Sequence, residues 1–203
     1  MNGPVIRTNA GADRFHGSNA GTPAVAGVGA LESVEEPVFR HGLRRLAAGV
    51  CLITSVMRDH YCGLTATSVT SVSLQPPLVA VSIDSRTETA RGIDQTNAFG
   101  VSILEADHER IARHFATNGL RSKFAGVSVR AGLTGVPLIE DAHAAIECVV
   151  WARHVAGDHL LYLGRVVAAE ARADSQPLVY HMARYERVIE PRPPDGLERK
   201  TAE

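Results

Sequence analysis

A mainly β protein with a few short helices, wound as a Greek-key barrel, is the fold class the sequence predicts, and three observations predict it. Four β-branched or alternating runs follow one another at residues 50–57, 61–73, 78–83 and 98–104. Two longer runs, 143–155 and 160–173, meet at Gly157-Asp158, a pair suited to a hairpin turn. Helical periods are few and short, so strand and helix do not alternate as a parallel βαβ sheet requires.

In chain order, residues 1–34 are rich in Gly, Ala and Asn without any period, and read as a flexible tail. Within them Gly27-Val28-Gly29 begins a dinucleotide fingerprint, but Glu32 stands where the third glycine belongs. A single domain, 35–190, opens with a helix over 37–48, with Pro37 in its first turn and Phe39, Leu43 and Leu46 on one face. Arg58-Asp59 and Gln75-Pro76-Pro77 separate the first strands. Ser85-Arg86-Thr87-Glu88 has the spacing of a capping box, and Asp107 is placed to cap a further helix ending near Thr117. Residues 178–189 supply a last strand or pair, and the prolines 191, 193 and 194 open a solvated tail, 191–203.

Composition bounds the function. With 45% hydrophobic residues the 203-residue chain can bury one substantial core. Twenty-one basic against twenty-two acidic residues leave a net charge of -1, so no net field favours nucleic acid or anionic lipid. No apolar run approaches the roughly 18 residues of a membrane span, and the expected location is the cytoplasm. Cys51, Cys62 and Cys148 lack C-x-x-C spacing and read as buried free thiols. The nine histidines form no zinc-ligand pattern, so no metal is expected.

An ordered set of motifs then narrows the field. It comprises the Phe39 to Val50 opening F-R-x-x-L-x-x-L-A-A-G-V, the stretch from Gly63 to Leu78 containing Thr65-Ala66-Thr67-Ser68, and Val81-Ser82-Ile83-Asp84-Ser85-Arg86-Thr87. Phe99 to Leu104, Ser122-Lys123-Phe124 and Gly157-Asp158-His159 follow. Over about 38–188 the chain resembles flavin reductase-like proteins with an FMN-binding split barrel. The resemblance implies a homodimer that binds FMN or FAD, reduces it with NADH or NADPH, and often supplies the product to a partner flavin-dependent monooxygenase. A flavin-binding module without turnover, such as a sensor, and a split-barrel flavin oxidase are the alternatives.

The residues fit that chemistry. Reduction puts negative charge along the N1, O2, O4 and N5 edge of a flavin, which calls for donors there. The small residues Thr65, Ala66, Thr67 and Ser68 let the ring lie against backbone amides and offer hydroxyls, although a Thr/Ser-rich strand needs no ligand. Asp84, Ser85 and Thr87, at a strand end opening a helix, suit the flavin phosphate, and Lys123 supplies a matching cation. Phe124 and Phe115 are candidates to cover the ring or adenine, with Phe115 equally suited to the core. The resemblance assigns His159, otherwise an ordinary turn residue, to holding the nicotinamide for hydride transfer. Tyr185 is a candidate to close over the nicotinamide or to pack in the core.

Overall fold

The computed structural model describes residues 32–117 and 123–188. The predicted tails, apart from residues 32–34, and Ser122 of the Ser122-Lys123-Phe124 motif lie outside the described residues. The elements, in order, are α1 (Glu36–Leu43), β1 (Ala48–Gly49), β2 (Cys51–Met57), β3 (His60–Ala66), β4 (Thr70–Leu74), β5 (Pro77–Asp84), α2 (Glu88–Thr96) and β6 (Ala98–Ile103). They continue with α3 (Glu109–Ala116), β7 (Val129–Ala131), β8 (Pro137–Ile139), β9 (Ala144–Ala156), β10 (His159–Ala171), β11 (Leu178–His181) and β12 (Arg184–Arg187).

The run 61–73, expected as one strand, is two, and the break between them shapes the molecule. The main sheet has seven antiparallel strands in the order β3-β2-β6-β9-β10-β5-β4, so β3 and β4 are its opposite edges. Only Thr67, Ser68 and Val69 join them. Four Cα steps reach at most about 14 Å, whereas the edges of a flat seven-stranded sheet stand roughly 29 Å apart. The sheet therefore curls into a barrel, split at the seam because β3 and β4 do not pair. Ser68 pins the link to β5: its hydroxyl donates to the Ser82 carbonyl (2.8 Å) and accepts from the Ser82 amide (3.3 Å).

Strand β2 lies between two cores, which explains its unbroken apolar run. Cys51 and Ile53 face the barrel interior with Val81, Ile83, Phe99, Val101 and Tyr162, and Ala90 and Ile93 of α2 join them. Val50 and Leu52 face outward, under α3, with Leu104, Ala112, Phe115, Ile139 and Leu178. All three cysteines are free and buried, as expected, and burial pushes each thiol up to about 12.

Several local expectations are corrected. α1 ends at Leu43, buries no residue, and leaves Phe39, Leu43 and the following Leu46 more than half exposed. The N-cap of α2 is Thr87, which accepts from the Ala90 amide (3.2 Å), because Ser85 is drawn away to another turn. His108, not Asp107, occupies the N-cap position of α3, with no side-chain cap. The short β7–β8 hairpin was not anticipated. Trp151, Val167 and Val72 are the unpaired extra residues at three register slips, between β9 and β10 and between β4 and β5. All three point large apolar side chains outward, 56%, 36% and 49% exposed.

Candidate functional site

One group of predicted residues gathers where β5 ends and β10 begins. His159 opens β10 and pairs in register with Asp84, the last residue of β5. Gly157 turns the β9–β10 hairpin with φ of 63°, a conformation that favours glycine. The Asp158 carbonyl then accepts from both the amide (3.1 Å) and the hydroxyl (3.0 Å) of Ser85, tying the two turns together. The Asp158 carboxylate lies 2.7 Å from His159 Nδ1, and that hydrogen bond holds it below the usual carboxylate range. The Asp158 carboxylate thus orients the imidazole. An ionised Asp158 requires the proton on Nδ1, which leaves Nε2 of a neutral His159 as an acceptor.

The other polar groups of this turn are largely engaged. Asp84 accepts from the Arg86 amide (2.9 Å) and from Arg86 Nε (3.0 Å) and Nη2 (2.6 Å), and Arg86 holds it well below the usual range. Thr87 donates to the Asp84 carbonyl (2.8 Å) as well as capping α2. Its hydroxyl and that of Ser85 thus build the turn. At the start of α2 the first-turn amides of Glu88 and Thr89 have no intrahelical acceptor; Glu88 is exposed, whereas Thr89 is buried.

The second group surrounds β3 and α3. Lys123 donates to the Phe115 carbonyl (3.1 Å) and approaches the Gly63 carbonyl (3.5 Å). It is half-buried, has no ion-pair partner among the described residues, and burial lowers its pKa. Because Gly63 turns its carbonyl off the free edge of β3, the period of two also turns the Thr65 amide outward. The Thr65 hydroxyl donates to the Ala112 carbonyl (2.7 Å), Ala66 packs against the barrel interior, and Thr67 is exposed. Phe124 is wedged edge-on between Phe115 (4.9 Å between centroids) and Tyr61 (5.7 Å). Phe115 is 1% exposed and offers no face to a ligand; its place is the core beneath Phe124. A Cβ at Gly63 would lie 3.3 Å from both phenylalanine rings, so the close packing needs the glycine.

Glu88 joins the groups. Its carboxylate bonds His60 Nε2 (2.9 Å), connecting α2 to β3, and its charge raises the Lys123 pKa against the burial. Both groups therefore flank the start of α2. Tyr185 belongs to neither: it lies on β12, its ring edge-on to Tyr180 (5.2 Å) and beneath the Arg113 guanidinium (4.8 Å). Sequence reasoning missed Arg86, Tyr61, Ser82 and Glu88. Arg86 alone carried a local signal, the two-residue offset of an Asx turn from Asp84.

Comparison with known proteins identifies the family of the fold. Residues 43–188 match the flavin reductase like domain. An NADH-dependent flavin reductase of a Rhodococcus species is 40% identical over 146 residues, covering 70% of this chain and 81% of that protein. The reductase component of a 4-hydroxyphenylacetate 3-monooxygenase from Thermus thermophilus is 32% identical, over 75% of this chain and 97% of its own. The solved Streptomyces globisporus NADH:FAD oxidoreductase superposes with a TM-score of 0.72 at 32% identity, covering 79% of this chain and 98% of that one. The split barrel, its ordered motifs and these relatives place this chain in the flavin reductase-like family.

Proposed function

We propose that this chain is an NAD(P)H-dependent flavin reductase that holds FMN or FAD along the β3 edge and accepts NADH or NADPH beside His159. The observation that carries the reading is Lys123, a half-buried cation with no carboxylate partner among the described residues, set against a strand edge whose amides face outward. That donor set fits a flavin, which needs amide donors along the ring and a cation for its phosphate. The outward amide of Thr65 would face the ring, with Ala66, Thr67 and Ser68 shaping the link beside it. Phe124 would cover one side, buttressed by Phe115. Lys123 and the first-turn amides of α2 would take the phosphate, while Asp84, Ser85 and Thr87 hold the turn that presents those amides.

When bound, the flavin supplies the hydride acceptor and the dihydronicotinamide supplies the hydride. His159 holds the nicotinamide: Nε2, made an acceptor by the Asp158 bond, receives the carboxamide N–H. Tyr185 has no part in this arrangement. Reduced flavin passes to a partner monooxygenase, a reading supported by the relative that is itself a reductase component. The free buried thiols and the NAD(P)H requirement support a cytoplasmic location, and no helix among the described residues is long and apolar enough to cross a membrane.

The active form is a homodimer. Trp151, Val167 and Val72 present outward apolar groups on β9, β10 and β4, and α1, which buries nothing, exposes Val38, Phe39 and Leu43. An eight-residue helix is marginal without tertiary packing, so it needs a second surface. Light scattering should show a dimer at micromolar concentration and Trp151→Glu should weaken it; a wild-type monomer with full flavin binding overturns this reading. For the activity itself, steady-state assays crossing NADH and NADPH with FMN, FAD and riboflavin should show flavin-dependent oxidation of the nicotinamide. No turnover with any pair sinks the proposal.

A further inference from the structure

A cavity of about 450 Å³ opens between α3 and the segment 125–128, and none of the residues assigned to the flavin or nicotinamide lines it. Its volume falls within the range of small-ligand sites. Ile111, Val127 and Ile139 give it apolar walls, while Arg110, His114 and Asp141 bring the charged and titratable groups. Arg110 forms no ion pair among the described residues. Asp141 holds its carboxylate 3.4 Å from His108 Nε2, and His114 Nε2 is 2.9 Å from the Lys123 carbonyl.

We infer that this cavity binds a small carboxylic acid with an apolar body and, through the hydrogen bonds that its lining residues His114 and Val127 make to the Lys123 and Phe124 carbonyls, adjusts flavin affinity. A guanidinium without a partner suits a carboxylate, which it engages with two parallel N–H donors. The Asp141 carboxylate on the same cavity opposes a dianion, so a phosphate is the poorer fit. The apolar walls take the hydrocarbon body and exclude small inorganic anions from most of the space. Coupling follows from two hydrogen bonds. His114 grips the carbonyl of Lys123, and the Val127 amide donates to the carbonyl of Phe124 (3.1 Å), so a ligand touching His114 and Val127 presses on the turn that carries both side chains.

The coupling rests on the flavin site proposed above, whereas binding itself does not. The test is calorimetric titration of the full-length protein with benzoate, 1-naphthoate, inorganic phosphate and AMP, repeated for Arg110→Gln. Arg110 is exposed and has no ion-pair partner among the described residues, so the substitution should leave folding and basal flavin reduction unchanged. Naphthoate should bind saturably at one site per chain, more tightly than benzoate, and Arg110→Gln should weaken it by about fivefold or more, the loss of one charge-assisted contact. Flavin KM should change with naphthoate in the wild type and stay constant with naphthoate in Arg110→Gln. No saturable carboxylate binding, tighter binding of phosphate or AMP, or undiminished binding to Arg110→Gln overturns the site. Binding with an unchanged flavin KM, in a protein that reduces flavin, overturns the coupling. A protein that binds naphthoate but reduces no flavin refutes the reductase reading and leaves the carboxylate site standing.

Discussion

The carbonyl oxygen of Asp158 accepts from both the amide and the hydroxyl of Ser85, at 3.1 and 3.0 Å, so the turn carrying His159 is fastened to the turn that opens α2. Fixing the backbone on one side and Nδ1 on the other orients His159 Nε2 before any ligand arrives. Preorganisation of that kind is what the nicotinamide-holding role proposed for His159 requires.

His159→Ala should therefore lower kcat/KM for NADH or NADPH by about 5- to 150-fold, corresponding to roughly 1 to 3 kcal/mol for a lost hydrogen bond and aromatic contact. Flavin affinity, measured by fluorescence quenching, should be unchanged. An unaltered kcat/KM, or a collapse of flavin binding, removes His159 from the nicotinamide site.

Lys123→Met keeps the apolar stem in its half-buried slot and removes the charge. Flavin Kd should rise by about 10- to 100-fold, the range of a charge-assisted hydrogen bond of about 1.5 to 3 kcal/mol. The urea midpoint should fall little, since only the bonds to the Phe115 and Gly63 carbonyls are lost. Equal flavin affinity in wild type and variant would return Lys123 to the role of a structural clip.

Gly164 packs against the barrel core, where a Cβ would lie 2.4 Å from Phe99 Cζ and 2.7 Å from Cys148 Cβ. Gly164→Ala should destabilise the fold by about 1 to 3 kcal/mol through overpacking, read as a lower urea midpoint. Gly157→Ala has open space around its Cβ and should lose less, about 1 kcal/mol, from its positive φ alone. The reverse ranking would show that the barrel interior yields at Gly164.

Most strands were legible because their periods are local: β2, β5, β6 and the β9–β10 hairpin fall within two residues of their expected ends, and a last strand or pair was expected where β11 and β12 stand. The division of 61–73 into two edge strands was not, because Thr67, Ser68 and Val69 are as suited to a strand as their neighbours. Only ring closure separates them. The caps failed for a related reason: Ser85 has the right spacing to Glu88, but the Asp158 carbonyl, 73 residues away, claims its hydroxyl. Of the candidate site residues, Lys123 and His159, carried by motifs, are partly exposed, whereas Phe115 and Tyr185, ambiguous in sequence, pack inward. Partners separated widely along the chain, such as His60 and Glu88, left no trace in the sequence.

That last pair carries a pH dependence whose sign is fixed. Glu88 accepts from His60 at 2.9 Å, and this bond raises the imidazole pKa above its ordinary value of 6.5. A raised folded-state pKa means that the native protein binds the proton more tightly than the unfolded chain does. The stabilisation is therefore fully present below about pH 6.5 and disappears as pH rises through the folded value. Both side chains are half-exposed, so salt should weaken the effect. The measurement is the difference in urea midpoint between wild type and His60→Ala at about pH 5.5 and about pH 8.5, in low and high salt. The difference should be larger at the lower pH and shrink with salt there. The bond joins β3 to the start of α2, so flavin KM in the wild type should also be lower at the acidic value relative to His60→Ala. A midpoint difference that is equal at both pH values, or larger at pH 8.5, would show that His60 contributes by packing and not through its charge.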